Sequence, residues 1–254
     1  MSPWGALHAL RIGCVQYLNS KPLIHGYDGP VVLAHPSELA RSLAAGELDA
    51  ALVPAFEFLR EPHYALVDGV AIASDGPVHS VILAHRGELR DVRRVALDPA
   101  SLTSANLLRV LLAEFHGIAP QFGAEGDARL LIGNQAIAFR EFVGSDVRIL
   151  DLGEEWRRCT ALPFVFAAWA LRPALQNVPA IASTFRTLKA HGIASIDEIV
   201  AGDATGTPDF RRSYLTQHIR FGLGPREKAG IARYRELLHK HALIADAARP
   251  LVFV

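Results

Sequence analysis

Hydrophobic residues in the N-terminal half of the chain fall in short apolar runs separated by a helical pattern. The runs at 10–15, 31–34 and 49–54 each predict a strand, because they are short, mostly apolar and bounded by polar residues or turn signals. Between the second and third runs, apolar residues recur with a 3.6-residue period over 36–46, which predicts an amphipathic helix. This alternation predicts strand–helix–strand units and an α/β fold.

Apolar runs without an intervening helix fill residues 65–85, and the strand–helix alternation resumes only afterwards. Two α/β units separated in this way, followed by a helical C-terminal part, predict two lobes. The first lobe is expected to contain 1–86 and 172–254, and the second 87–171. This arrangement resembles the type II periplasmic-binding-protein fold, in which a ligand binds in a cleft between the lobes. A (β/α)8 barrel has a similar length, but the helix-free stretch and the helical C-terminal quarter fit it poorly.

Polar residues follow the first predicted strand at a point where a helix can begin. Tyr17, Asn19 and Ser20 come after the apolar run, and Pro22 suits a first helical turn, which has no use for the missing N–H. Ligands of open α/β sheets bind beyond the carboxyl ends of the strands, where helix N-termini attract anions. We therefore expect Asn19 and Ser20 to face a ligand. The alternative is that one of them merely caps the helix while Tyr17 lies in the core.

Similar polar turns end the strands of the predicted second lobe. Ser101, Thr103 and Ser104 belong to a turn at 98–104 that precedes a strong amphipathic helix predicted over 105–116. Hydroxyl-rich turns in both lobes suit a small ligand with two anionic groups, one held by each lobe. Simple capping of the helix explains Thr103 and Ser104 equally well, because capping and anion binding use the same groups. The other polar residues at strand ends of this lobe are Asn134 and Asp151.

No motif for metal, nucleotide or nucleophilic chemistry stands out. His79 precedes Ser80, but adjacent strand residues point to opposite faces and no Gly-x-Ser-x-Gly elbow surrounds Ser80, which favours a binding hydroxyl over a nucleophile. The 11 histidines show no metal-ligand spacing and no Gly-rich phosphate loop occurs, so neither a metal nor another cofactor is expected. Asp151 follows a strand but equally suits an Asx-turn, and the residues alone identify no general base.

Composition and charge exclude several classes of function. The 254 residues are 50% hydrophobic, and Lys plus Arg balance Asp plus Glu at 26 each, which argues against a nucleic-acid-binding face. No run approaches the roughly 18 apolar residues of a membrane span, and residues 1–10 lack a signal-peptide pattern. We therefore expect a cytoplasmic protein that binds a small molecule, without nucleic-acid or membrane partners. Cys14, in the first strand, is expected to be a core residue.

Five motifs lie in order along nearly the whole chain. Residues 15–23 read Val-Gln-Tyr-Leu-Asn-Ser-Lys-Pro-Leu, and 76–81 read Gly-Pro-Val-His-Ser-Val. A hydroxyl-rich turn follows at 97–104, and two later segments occupy 151–156 and 162–169. Together these motifs resemble the chorismate dehydratase family of the futalosine route to menaquinone. Several motifs in order are far more specific than any one of them.

The resemblance implies a lyase built on the binding-protein fold. Chorismate is expected to lose its ring hydroxyl as water, with the neighbouring ring proton, giving 3-[(1-carboxyvinyl)oxy]benzoate. Asn19 and Ser80 are expected to position the reacting part of the ring, while the substrate's own enolpyruvyl carboxylate takes the proton. Leu102 and Asn134 depart from the family pattern, in which Arg and Asp are common at these positions. The implied substrate-binding residues are Tyr17, Ser20, Ser101, Thr103, Ser104, Asn134 and Asp151.

Three other functions stay open from the sequence. The sister enzyme of the same route, a 1,4-dihydroxy-6-naphthoate synthase, acts on a cyclic futalosine derivative, but the signature at 17–19 favours the dehydratase. A non-catalytic solute-binding protein of a transporter suits the same fold, although no signal peptide is predicted. The effector-sensing half of a regulator is the third, but no DNA-binding segment or basic face accompanies it.

Overall fold

The computed structural model of the chain describes residues 3–61, 63–98, 101–245 and 249–254, and its strands form two sheets. The strands, in chain order, are β1 Ile12–Val15, β2 Val31–Ala34, β3 Ala50–Pro54, β4 Ala65–Ser74, β5 Val81–His85, β6 Arg94–Ala96, β7 Gln121–Gly123, β8 Ala128–Ile132, β9 Arg148–Asp151, β10 Phe164–Leu171 and β11 Val252–Phe253. The α-helices are α1 Pro36–Ala44, α2 Ala55–Arg60, α3 Leu102–Val110, α4 Gly133–Phe142, α5 Leu152–Thr160, α6 Val178–Ala194, α7 Ile196–Ala201, α8 Pro208–Ser213 and α9 Pro225–Lys240. Tighter or wider helical turns also occur, at Leu18–Leu23 and Leu89–Asp91 (3-10) and at Leu111–Phe115 and Tyr214–His218 (π).

The first sheet has the strand order β11-β4-β10-β3-β1-β2. β1 is parallel to both of its neighbours, with Ile12 opposite Val31 and Ala50, while β10 runs antiparallel between β3 and β4. All residues of β3 are buried, which is why the sequence shows a continuous apolar run there. The sequence predictions that the structure confirms in this region are the strands at 10–15, 31–34 and 49–54 and the helix at 36–46.

The second sheet, ordered β7-β6-β8-β5-β9, corrects the predicted lobe boundaries. The predicted first lobe, 1–86 with 172–254, would contain β5. The predicted second lobe, 87–171, would contain β10. Instead, β5 lies antiparallel between β8 and β9, and β10 completes the first sheet. The chain therefore changes sheets between Ser74 and Val81 and returns before Phe164. Both β5 and β10 are buried apolar runs, so their own residues do not indicate which of the two sheets each strand joins.

Helix α3 begins earlier than the sequence predicts. The expected polar turn reaches residue 104, whereas α3 starts at Leu102 with Ser101 as its N-cap residue; residues 99 and 100 lie outside the described ranges. Thr103 and Ser104 therefore belong to the first helical turn, where backbone N–H groups have no acceptor within the helix. The predicted apolar face is confirmed by the complete burial of Leu107 and Leu108 in α3 and of Leu111 in the π turn that follows.

The main apolar core contains residues of both sheets. Cys14 lies fully buried in it, as predicted, and burial raises the pKa of its thiol to about 12. An aromatic cluster joins α5, β10 and α9, where the ring centroids of Trp156, Phe164 and Tyr234 lie 4.9–5.9 Å apart. Edge-to-face packing of this kind fixes the relative positions of helices and strands around the boundary between the sheets.

Helix α6 packs closely against the Leu18–Leu23 turn at Gly192. A Cβ at this position would overlap the backbone carbonyl oxygen of Pro22. Helix propensity favours Ala by about 1 kcal/mol, but overlap with backbone outweighs it, so Gly192→Ala is expected to lower the free energy of unfolding by about 1–2 kcal/mol. Urea unfolding measures the change. Gly222→Ala is the control, since its added Cβ meets no atom within 4 Å. An equal midpoint for the two variants would contradict the prediction.

Asp49 links the starts of β1 and β3 to the end of β10. Its buried carboxylate accepts hydrogen bonds from Arg11 N at 2.8 Å, Arg11 Nε at 3.0 Å and Arg172 Nε at 2.5 Å. The side chain of Arg11, first among these groups, holds the pKa of Asp49 well below its ordinary value. The position of Asp49 in the chain gives no sign of these partners, because Arg172 is 123 residues away.

A lowered folded-state pKa at Asp49 predicts a specific loss of stability in acid. The contribution is fully present above the ordinary pKa of 3.8 and is lost as the pH falls through that value towards the lower folded-state pKa. Wild type is therefore expected to lose more free energy of unfolding than Asp49→Asn between pH 6 and pH 3. Urea titrations of both proteins across this range measure the difference. Parallel curves would show that Asp49 has the same pKa folded and unfolded.

Candidate active site

A cleft lies where the two sheets meet, and segments from both sheets line it. Its walls include the residues after β1, the loop before β5, the first turn of α3 and part of β10. Six of the nine predicted site residues line the cleft, and they are Tyr17, Asn19, Ser80, Ser101, Thr103 and Ser104.

Asn19 reaches the cleft from the Leu18–Leu23 turn that follows β1. Its side chain is 9% exposed, and its Oδ1 is buried with no hydrogen-bond partner among the described residues. A buried amide oxygen without a protein partner is uncommon in native structures, so this oxygen is available to a group that enters the cleft. Capping does not explain Asn19, because no side chain caps this turn. Tyr17, at the start of the turn, packs its ring against Gly133 at the opposite wall.

Ser80 is fully buried at the end of the loop between the sheets. Its N–H donates to Val78 O at 2.7 Å, its carbonyl accepts from Gly133 N at 2.8 Å, and its Oγ accepts from the Tyr214 hydroxyl at 2.7 Å. His79 has a positive φ of 60°, an unusual conformation for a residue other than glycine. Its ring lies 4.0 Å from that of His218, and burial, followed by the nearby charge of His218, lowers the pKa of His79 to about 4. His79 is thus neutral near pH 7 and packs on His218.

The first turn of α3 forms the opposite wall with buried hydroxyl groups. Ser101 occupies the N-cap position without a side-chain capping bond, and its Oγ has no partner within the described part of the chain. Thr103 Oγ1 accepts from Phe56 N at 3.0 Å, which joins α3 to α2. Ser104 also lines the cleft. The N-terminus of an α-helix offers N–H groups and a favourable dipole to an anion. The wall is therefore suited to a carboxylate, and capping by Ser101 does not account for it.

Three residues that were predicted to bind substrate use their polar atoms inside the protein instead. Ser20 is fully buried and its Oγ lies 2.6 Å from Val15 O and 2.8 Å from Tyr17 O as a donor, so its hydroxyl binds the backbone before the turn and does not cap it. Asn134 Oδ1 accepts from Leu18 N at 3.2 Å. The carboxylate of Asp151 accepts from backbone N–H groups in the loop before β5 and at the start of α5, and Asp151 does not line the cleft. Each of these three residues is hydrogen-bonded to a segment that contains a residue of the cleft lining.

Tyr214 is a candidate that the sequence did not reveal. It is 1% exposed at the start of the Tyr214–His218 turn, and its hydroxyl donates to Ser80 Oγ. The two residues are 134 positions apart, and neither periodicity nor a local motif links them. A buried tyrosine in a C-terminal helix reads simply as a core residue from the sequence.

The described residues that line the cleft carry no formal charge. Among these described residues Tyr17 has the sole titratable side chain, and burial, followed by the charge of Asp98, raises the pKa of Tyr17 to about 12. Within the described ranges, no group of three or more His, Cys, Asp or Glu side chains is placed to hold a metal ion. The site offers hydroxyls, an amide and helix N–H groups, which bind and orient a polar ligand through neutral hydrogen bonds.

Comparison with known proteins places the chain in a family. The family model described as menaquinone biosynthesis matches residues 10–240. The chain belongs to this menaquinone biosynthesis family. A relative from Thermus thermophilus, named chorismate dehydratase, is 31% identical over an alignment that covers 89% of this chain and 94% of the relative.

Solved structures give the fold of this menaquinone biosynthesis family member. An Archaeoglobus fulgidus protein matches with a TM-score of 0.75 at 18% identity, covering 92% of this chain and 98% of the other. A Candida albicans protein described as having the generic periplasmic binding protein fold matches with a TM-score of 0.64 at 12% identity, covering 93% and 91%. The predicted binding-protein fold is confirmed. Across the described residues, none of the helices has both the length and the apolar character that crossing a bilayer requires.

Proposed function

We propose that this chain is a chorismate dehydratase that eliminates water from chorismate to give 3-[(1-carboxyvinyl)oxy]benzoate, on the futalosine route to menaquinone. Membership of the menaquinone biosynthesis family and 31% identity to a protein named chorismate dehydratase support the reaction class. The observation that carries the proposal is the meeting of Asn19 and Ser80 in one uncharged cleft, opposite the first turn of α3. The proposed reaction is that of a carbon–oxygen lyase.

Neutral donors hold the dianionic substrate in this proposal. Ser101, Thr103 and Ser104 lie at the N-terminus of α3, where a carboxylate gains from both hydrogen bonds and the helix dipole. The described lining contains no Lys or Arg, so specificity for a carboxylate comes from directed hydrogen bonds and not from a bulk positive field. Leu102, which replaces the Arg common in the family, lines the same wall and adds an apolar contact for the ring.

The chemistry needs positioning more than a strong protein base. Aromatisation of the ring supplies the driving force, and a site of this kind accelerates elimination by holding the reacting groups and stabilising charge on the leaving oxygen. In this proposal Asn19 and Ser80, which both line the cleft, contact that part of the ring. No described lining residue is an Asp, Glu or His, which favours the substrate's enolpyruvyl carboxylate as the proton acceptor.

The direct test is to incubate purified protein with chorismate and follow the products by liquid chromatography and mass spectrometry. A product lighter by one water, with the absorbance of a substituted benzoate, supports the lyase. Chorismate binding without turnover, measured by calorimetry, would replace the lyase with a solute-binding function on the same fold. If chorismate is neither bound nor converted, the dehydratase proposal fails and the cyclic futalosine derivative of the sister enzyme becomes the substrate to assay.

A further inference from the structure

The hydroxyl of Tyr214 contacts Ser80, one of the two residues assigned to the reacting centre. It donates a hydrogen bond to Ser80 Oγ at 2.7 Å. Burial raises the pKa of Tyr214, and the side chains of Ser80 and Asn19 oppose that rise. The ring of Tyr214 stacks on Phe210, with centroids 5.6 Å apart and planes at 16°, so packing fixes where the hydroxyl points.

The direction of this bond determines which proton remains available. A phenol hydroxyl has one proton, which Tyr214 donates to Ser80, so the hydroxyl proton of Ser80 is free to bind another acceptor. Asn19 Oδ1, in the same cleft, has no partner among the described residues.

The last donor in this series of hydrogen bonds is the hydroxyl group of Ser80. The backbone of Ser80 is fixed by its bonds to Val78 O and Gly133 N, and its Oγ already accepts from Tyr214. The Ser80 O–H bond is therefore directed away from Tyr214, and Ser80 lines the cleft. We propose that Tyr214 is a positioning residue that orients the Ser80 hydroxyl to donate to the leaving hydroxyl of the substrate, an inference that rests on the proposed dehydration.

The elimination balances without a proton from the protein. The C–O bond to the leaving hydroxyl breaks, and the electron pair of the neighbouring ring C–H bond forms the new ring double bond. The released proton passes to the enolpyruvyl carboxylate and then to the leaving oxygen, which departs as water. Ser80 keeps its proton and stabilises the negative charge that grows on that oxygen. Because hydrogen bonds in a chain polarise one another, Tyr214 makes Ser80 a better donor.

Tyr214→Phe removes the hydroxyl and keeps the stacked ring. We expect kcat for chorismate to fall by about tenfold while KM stays within twofold of wild type, because the missing group orients a donor and touches no substrate. Tyr64→Phe is the matched control, since the hydroxyl of Tyr64 is also buried and has no hydrogen-bond partner among the described residues. It is expected to keep the wild-type kcat. Circular dichroism of each variant verifies that it is folded.

A double-mutant cycle separates positioning from a structural role. If Tyr214 acts through Ser80, adding Tyr214→Phe to Ser80→Ala lowers kcat no further than Ser80→Ala alone. A further tenfold loss in the double variant would overturn the inference, as would a Tyr214→Phe enzyme with kcat within twofold of wild type. In both cases wild type still converts chorismate, so the proposed function stands. A wild-type protein that does not convert chorismate overturns both proposals together.

Discussion

Alanine at Asn19 or at Ser80 is expected to reduce kcat for chorismate by about 100-fold or more, the loss typical of removing a donor that stabilises developing charge. Both residues line the cleft, and Ser80 Oγ accepts a hydrogen bond from the hydroxyl of Tyr214. Steady-state rates from product chromatography measure the effect. Ser183→Ala, at an exposed position of α6, is the control and is expected to behave as wild type.

The two variants are expected to differ in stability. Asn19→Ala removes an amide whose oxygen has no partner among the described residues, so its Tm is expected to stay near that of wild type. Ser80→Ala removes the acceptor of a buried tyrosine hydroxyl, which costs about 1–3 kcal/mol when it is left unpaired. Thermal unfolding distinguishes the two. If both variants unfold the protein, the residues are structural and the site assignment fails; if kcat is unchanged in both, they lie outside the reacting centre.

The parts of the site that the sequence predicts are those in which strand, turn and side chain are neighbours in the chain. Asn19 follows β1 by a few residues, and Ser101, Thr103 and Ser104 lie within one turn of α3. In these places local hydrophobic pattern and turn chemistry already determine which edge of a sheet the polar group reaches. Helix α3 begins three residues earlier than the sequence predicts, and its hydroxyl groups still line the cleft.

What the sequence could not supply depends on contacts between distant segments. The apolar runs of β5 and β10 are compatible with either sheet, and pairing with β8 or with β3 decides between them. The link from Tyr214 to Ser80 spans 134 residues. Asn134 follows a strand, as expected, but its Oδ1 accepts a hydrogen bond from the N–H of Leu18, which is 116 residues away. A polar residue at a strand end predicts an available hydrogen-bonding group, but tertiary contacts determine whether a ligand or another part of the protein binds it.

Asp151 shows this competition most clearly. The resemblance assigns it to the substrate, and the residues alone equally suit an Asx-turn. Its carboxylate accepts from Val78 N at 3.0 Å and His79 N at 2.8 Å and, as the Asx-turn alternative expects, from Gly153 N at 3.0 Å at the start of α5. Arg140 completes the group with a bond of 2.9 Å. One buried carboxylate therefore fixes both the helix that follows it and the loop that carries Ser80.

Asp151→Ala is accordingly expected to lower the free energy of unfolding by about 3–5 kcal/mol, since it leaves Arg140 and several buried N–H groups without their acceptor. For a chain of this length that corresponds to a fall in Tm of about 10 °C. Differential scanning calorimetry measures it. Asp146→Ala is the control, because that carboxylate and its partner Arg86 are both exposed, and its Tm is expected to stay close to wild type.

The kinetics of Asp151→Ala separate the two roles that sequence and structure give this residue. Assayed well below its Tm, the variant is expected to lose kcat, because the loop at Val78 and His79 is released and Ser80 is no longer held against the cleft. A carboxylate that bound substrate would instead change KM and leave Tm untouched. That second pattern, a shifted KM with an unchanged Tm, would return Asp151 to the substrate site and remove its place as the anchor of the Ser80 loop.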